Sequence, residues 1–216
     1  MKFRFSFIDN IIEISDEYVR SLEVENNNYF IRMVTCLNNY CIQTGDYEEL
    51  IIDDANMDII IDYFNISSKL KKDNLNLLKY IENKIDDLNY DKIRKNYNKI
   101  YDIFTSLVYD LDLPVELNKD YNVNKIIKTL NISFKTNNNL LQNIYNYLDI
   151  NILFNKSIII FVNLKSYLSK NELIELYKYC VYNKIKILLL DNKSYGTTLK
   201  CEKKIIIDCN LNEYVL

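Results

Sequence analysis

The sequence predicts an α/β fold, with a head built on a parallel or mixed sheet from both ends of the chain and an extended helical hairpin inserted between them. Three observations predict it. Residues 158–163 and 185–190 read IIIFVN and IKILLL, nearly unbroken apolar runs of the kind that lie inside a sheet covered on both faces. A helical pattern separates them, and strand–helix–strand alternation implies parallel strands. From about residue 69 to 111 the period changes to that of packed helices. Leu78, Ile81, Ile85 and Leu88 are spaced 3, 4, 3, and Ile93, Tyr97, Ile100, Phe104, Leu107 and Leu111 are spaced 4, 3, 4, 3, 4.

The elements follow in order. KFRFSF at 2–7 alternates, with Phe3, Phe5 and Phe7 on one side, and predicts a half-buried strand with IIEI at 11–14 as its hairpin partner. A strand near 19–24 leads into a helix over 29–38, on which Phe30, Val34 and Leu37 share a face. ELII at 49–52 reads as a short strand ending at Asp53 and Asp54. The two heptad-like stripes follow, joined at the polar NYDK (89–92); helices of about 20 residues would be roughly 30 Å long, and protrude. Pro114 closes the second. Shorter helices are expected at 123–130 and 138–150, the latter facing Leu141, Ile144 and Leu148 inward. The helix after strand 158–163 opens with a capping box, Ser169 with Glu172, and buries Leu173, Leu176, Tyr177 and Cys180. A last strand is expected at 204–208. The predicted division is a head from 1–64 and 138–216 and a helical leg with an acidic linker over 65–137.

Composition excludes several chemistries. The chain has 216 residues and no histidine, which removes imidazole as base or ligand. Its two glycines, Gly45 and Gly196, cannot form a phosphate loop, and neither G-x-x-x-x-G-K-[ST] nor G-x-G-x-x-G occurs. Five cysteines, Cys36, Cys41, Cys180, Cys201 and Cys209, form no C-x-x-C pair, so they are expected to be reduced thiols in a cytoplasmic protein. No apolar run approaches the roughly 20 residues of a membrane helix, and MKFRFSF lacks a signal-peptide layout.

Charge is segregated along the chain. Residues 1–64 carry 4 basic and 13 acidic side chains, and 65–100 carry 9 and 5. Residues 101–123 carry 1 and 5, and 124–216 carry 13 and 7. Separation of this kind points to a charged partner. Four carboxylates, Asp110, Asp112, Glu116 and Asp120, fall within eleven residues around Pro114; from the residues themselves this is a solvated acidic turn.

Strands that end abruptly in polar residues, at Asn163 and Asp191, mark the edge where α/β sheets hold ligands. Asp191, Glu202 and Lys204 imitate the D…E-x-K set of metal-dependent nucleases, in which two carboxylates hold magnesium and a lysine steadies the water. The pattern is short and common, so a solvated strand end with an edge lysine pair is the heavier reading. Asp53, Asp54 and Asp58 are likewise read as a polar loop rather than a metal cluster.

An ordered set of segments then carries a resemblance. FVNLKSYLSKNELIELYKY (161–179), KILLLDNK (186–193) and KIIIDCNLNEYV (204–215) are similar to the carboxy-terminal signature of the Csn-type accessory protein of type II-A CRISPR systems. KFRFSFIDNIIEI (2–14), LIIDDANMDI (50–59) and DLDLPVE (110–116) resemble their family counterparts, in the same order.

The resemblance implies a head of RecA-like or ABC-ATPase-like type without a working nucleotide site, and a non-catalytic role in acquiring new spacers. It implies a homotetrameric ring that takes in double-stranded DNA ends and contains calcium. The implied partners are the CRISPR integrase complex and the effector nuclease of the same locus. On that footing Asp110, Asp112, Glu116 and Asp120 become calcium ligands. Lys69, Lys71 and Lys72, with Lys125 and Lys128, become the DNA contacts. A metal-dependent nuclease and a purely structural interaction protein are the rival readings.

Overall fold

The computed structural model describes residues 2–3, 5, 8–38, 57–66, 74–111, 117, 119–133, 137–154 and 158–216. It divides into two compact units, Met1–Ile66 with Asn137–Leu216, and Ser67–Thr136.

The first unit is a mixed α/β layer structure. Among the described residues its strands are β1 (Lys2–Phe3), β2 (Ile12–Glu13), β3 (Val19–Val24), β4 (Met57–Ile60), β5 (Ile158–Val162), β6 (Ile187–Asp191), β7 (Glu202–Ile207) and β8 (Glu213–Val215). Strands β1 and β2 form a small antiparallel hairpin. The other six form one sheet in the order β4-β5-β6-β3-β7-β8, in which only β8 is antiparallel. Helices α1 (Asn27–Asn38), α5 (Leu140–Leu153) and α6 (Lys170–Tyr182) belong to this unit.

Period-2 alternation decides what each face of the sheet becomes. On β3, Leu22 and Val24 join Ile158, Ile160, Val162, Leu188, Leu190, Ile205 and Ile207 in an apolar cluster. The hairpin segment adds Phe5, Ile8, Ile12 and Ile14 to it, and α1 adds Phe30, Met33 and Leu37. Each fully buried Leu or Ile there contributes on the order of 1.5–3 kcal/mol. The opposite face carries Ser21 and Glu23 of β3, beside Asp191 of β6 and Lys204 of β7, and is met by α6 through Tyr177. One face is therefore oily and the other carries buried charge. On α6 the buried residues are the four that its period predicts, and both bonds of the Ser169–Glu172 capping box form.

Two local expectations are corrected, and a third falls outside the described residues. Asp58 lies in β4, not in a polar loop; its carboxylate accepts the Tyr147 hydroxyl of α5, a long-range partner no local pattern discloses. The expected strand at 49–52, with Asp53 and Asp54, lies outside the described residues. Strand β8 continues the sheet past β7, so β7 is an interior strand.

The second unit holds α2 (Asn74–Asn83), α3 (Asp87–Tyr109) and α4 (Val123–Thr129). The turn between α2 and α3 falls at 84–86, ahead of NYDK, because the Asp86 side chain caps α3 by accepting from the Asn89 amide. Leu88 consequently belongs to α3, where it is exposed. Asn122 caps α4 through the Lys125 amide, and Asn124 donates to Glu82 of α2 at 2.6 Å. Pro114 lies outside the described residues; α3 ends before it, at Tyr109.

Candidate functional site

At the carboxyl ends of β5, β6 and β3 the chain collects a buried polar cluster. Asn163 leaves β5 in the left-handed region (φ 60°), a conformation asparagine tolerates better than most residues. Its amide donates to Leu190 O at 2.8 Å and its side-chain oxygen accepts from Asn192 N at 2.9 Å, which fixes β5 to the end of β6. The turn this produces carries Lys165 inward rather than out to solvent.

The Lys165 ammonium donates to Glu23 (2.7 Å), Glu202 (2.6 Å) and Ser21 (2.7 Å). Lys204 reaches Glu23 at 2.9 Å and the Gly196 carbonyl at 3.2 Å. The same two carboxylates hold the β6–β7 segment: Tyr195 N donates to Glu23 at 3.0 Å and Leu199 N to Glu202 at 2.7 Å. Tyr177 donates to Glu202 at 3.4 Å.

Burial would raise the Glu23 carboxyl, but its bonds to Lys165 and Lys204 hold it below the ordinary carboxylate value. Burial would also lower Lys165, yet Glu202 and Glu23 outweigh it and hold the ammonium above its ordinary value. Asp191 is the exception. It is fully buried; one oxygen accepts a long 3.4 Å bond from Lys165 N, and the other has no hydrogen-bond partner among the described residues.

The expectation of a solvated strand end with an edge lysine pair is thus overturned. Asp191, Glu202 and Lys204 are buried together, because β7 is interior and α6 covers this face. The ammonium of Lys165, which the sequence reading did not single out, bridges Glu23 and Glu202 as a metal would. Glu23 and Ser21 were missed as well. The available signal was VRSLEV, a strand in which the polar Ser21 and Glu23 alternate with the apolar Leu22 and Val24.

In the second unit, Asp112, Glu116, Lys69, Lys71 and Lys72 lie outside the described residues. Asp110 caps the carboxyl end of α3. Asp120 lies against an earlier part of that helix: Tyr97 donates to its carbonyl at 3.1 Å, and Tyr101 to that of Leu117 at 3.0 Å. Tyr97 and Asp110 are about 20 Å apart along the axis at 1.5 Å per residue. The chain has doubled back, and the Asp120 carboxylate is turned onto the Lys125 ammonium, both exposed. Asp110, at the end of α3, and Asp120, beside earlier turns of that helix, therefore lie apart within the chain, and the other two expected ligands fall outside the described residues. Lys128 is exposed in the last turn of α4.

Residues 39–211 match the family model described as CRISPR-associated protein (Cas_Csn2). No curated protein matches the chain. Among solved structures, a putative ABC transporter (ATP-binding protein) from Pyrococcus furiosus is similar at 8% identity and a TM-score of 0.40, over 90% of this chain and 88% of that one. Among the described residues no helix is long and apolar enough to cross a membrane.

Proposed function

The chain belongs to the Cas_Csn2 family of CRISPR-associated proteins, and on that premise we propose that it serves spacer acquisition as a ring-shaped homotetramer that binds double-stranded DNA ends. It does so without catalysis, as a binding partner of the integrase complex and effector nuclease of its locus. The observation that carries the proposal is the family match, which runs through both units. Two physical features support it. Helix α3 has 23 residues and none buried, and it leaves Ile100, Phe104 and Leu107 about half exposed, an apolar stripe suited to assembly between copies. Lys128 stands exposed on α4, where it can meet phosphates, and Lys125, three residues earlier, is exposed but paired with Asp120.

Calcium enters the proposal through Asp110, Asp112 and Glu116; Asp120, paired with Lys125, is not among the ligands proposed. Their role would be to neutralise a crowded acidic linker, which suits an ion that accepts flexible oxygen coordination. Replacing Asp112 and Glu116 by alanine should then reproduce the effect of a chelator on the melting curve. Identical melting with calcium and with chelator would remove the ion from the proposal.

The deciding experiment measures mass by light scattering and mobility shifts with linear and nicked circular plasmid. A ring that threads ends gives a tetramer mass and a salt-sensitive shift of the linear form only. Equal shifts of both forms would exclude threading, no shift would leave an interaction protein, and plasmid degradation in magnesium would restore the nuclease reading.

A further inference from the structure

The carboxyl-edge cluster has more acid than base. It holds three carboxylates, Glu23, Asp191 and Glu202, and two ammonium groups, Lys165 and Lys204, all buried. Both ammonium groups donate to Glu23, and Lys165 also donates to Glu202. Among the described residues Asp191 receives only the long bond from the Lys165 amide, and its second oxygen has no hydrogen-bond partner. The groups facing it are Lys165 from the turn after β5, Glu23 from β3, Glu202 from β7, Tyr177 from α6 and Tyr63 from the segment after β4. Neither phenol supplies a counter-charge. A buried charge left unpaired is far more costly than a neutral group in the same place, so the cluster calls for one more positive charge. Among the described residues no set of carboxylates and thiols could hold a metal ion.

We propose that Asp191 is a proton-binding site whose occupancy sets how firmly residues 192–200 are held. The proton comes from solvent and leaves to it. With the proton bound, the cluster carries two negative and two positive charges. Once it leaves, a third carboxylate repels Glu23 and Glu202 and competes for Lys165. Those two carboxylates are the anchors of Tyr195 N and Leu199 N, so the segment between β6 and β7 loosens. Burial is the main cause that pushes the Asp191 carboxyl up to about 7; Lys165 opposes it, while Glu23 and Glu202 add to it. The sign follows from linkage. The folded value is raised, so the stability that Asp191 contributes is complete below the ordinary carboxylate range and is lost as pH rises through about 7.

The test is a carbon-13 titration of the aspartate carboxyls in the intact chain, with amide exchange at Tyr195 and Leu199 corrected for intrinsic base catalysis. One carboxyl should titrate near neutrality and vanish in Asp191→Asn. Exchange at both amides should speed up several-fold across that titration in the wild type and stay slow in the variant. The melting temperature should also fall more between about pH 5.5 and 8.5 in the wild type than in Asp191→Asn. If every aspartate titrates below about pH 5, as free carboxyls do, Asp191 binds no proton and the proposal fails. If Asp191 titrates but the two amides are indifferent, the link to the segment fails. Should Asp191→Asn not fold, the wild-type titration and exchange still decide both points.

Discussion

At the scale of the residue, Lys165 is the side chain on which the buried cluster turns. It takes the position between two glutamates that a cation must fill, and its hydrogen bonds to Glu23, Glu202 and Ser21 leave it none to spare for a ligand outside. Removing one partner of a buried ion pair leaves the other charge uncompensated, a change that costs about 3–5 kcal/mol. Lys165→Ala should therefore lower the unfolding free energy measured in urea by that much, and a loss under about 1 kcal/mol would show that water replaces the ammonium freely. A double replacement of Lys165 and Glu202 by apolar residues should recover part of the loss, because the stranded charge goes too. The sequence disclosed half of this site. Asp191, Glu202 and Lys204 can be paired by spacing because they share one strand-to-strand connection. Glu23 and Ser21 lie more than 140 residues from Lys165, and only the parallel register of β3 against β6 and β7 brings them in. Burial likewise was hidden, since it depends on β8 lying outside β7 and on α6 lying above.

At the scale of the element, what was legible was local. The Ser169–Glu172 box, the apolar run of β5 and the buried face of α6 each rest on residues within a few positions of one another, and all three stand as expected. The Ser169 cap is testable on its own: Ser169→Ala should cost about 1 kcal/mol, and Ser169→Asp, which keeps an acceptor at the helix start, should cost less. Equal losses in thermal melts would mean that packing, not capping, sets where α6 begins. The helices of the second unit show where periodicity stops being informative. A heptad stripe says which face is apolar but not where a turn falls, and Asp86 decides that by capping α3. It also does not say what covers the stripe. No residue of α3 is buried among the described residues, so Phe104→Asp with Leu107→Asp should leave the melting temperature of the isolated chain within a few degrees and reduce the mass of the assembly. An unchanged mass would move the contact between copies away from this helix.

At the scale of the whole molecule, the charge that matters is not the net of −3 but its distribution. Duplex DNA is a dense line of phosphates, so binding requires cations free to displace its counterions, and each such contact adds about 0.9 to the slope of log affinity against log salt. Of the basic residues expected to meet DNA, the described ones behave differently: Lys128 is exposed, whereas Lys125 is paired with the Asp120 carboxylate, which holds its ammonium above the ordinary value. An exposed pair of this kind is weak and adds little stability, but it places a negative charge where a phosphate would have to approach. The two lysines therefore predict opposite responses to removal of an acid and reversal of a base. Lys128→Glu should weaken duplex binding uniformly across sequences and flatten the salt slope. Asp120→Asn should release Lys125, strengthen binding and steepen the slope by about one contact per bound chain, with no change in melting temperature beyond about a degree. Titrations of one linear duplex at several salt concentrations measure both. If Asp120→Asn leaves affinity and slope where they were, Lys125 is not on the path of the DNA; if Lys128→Glu does the same, α4 is not on it at all.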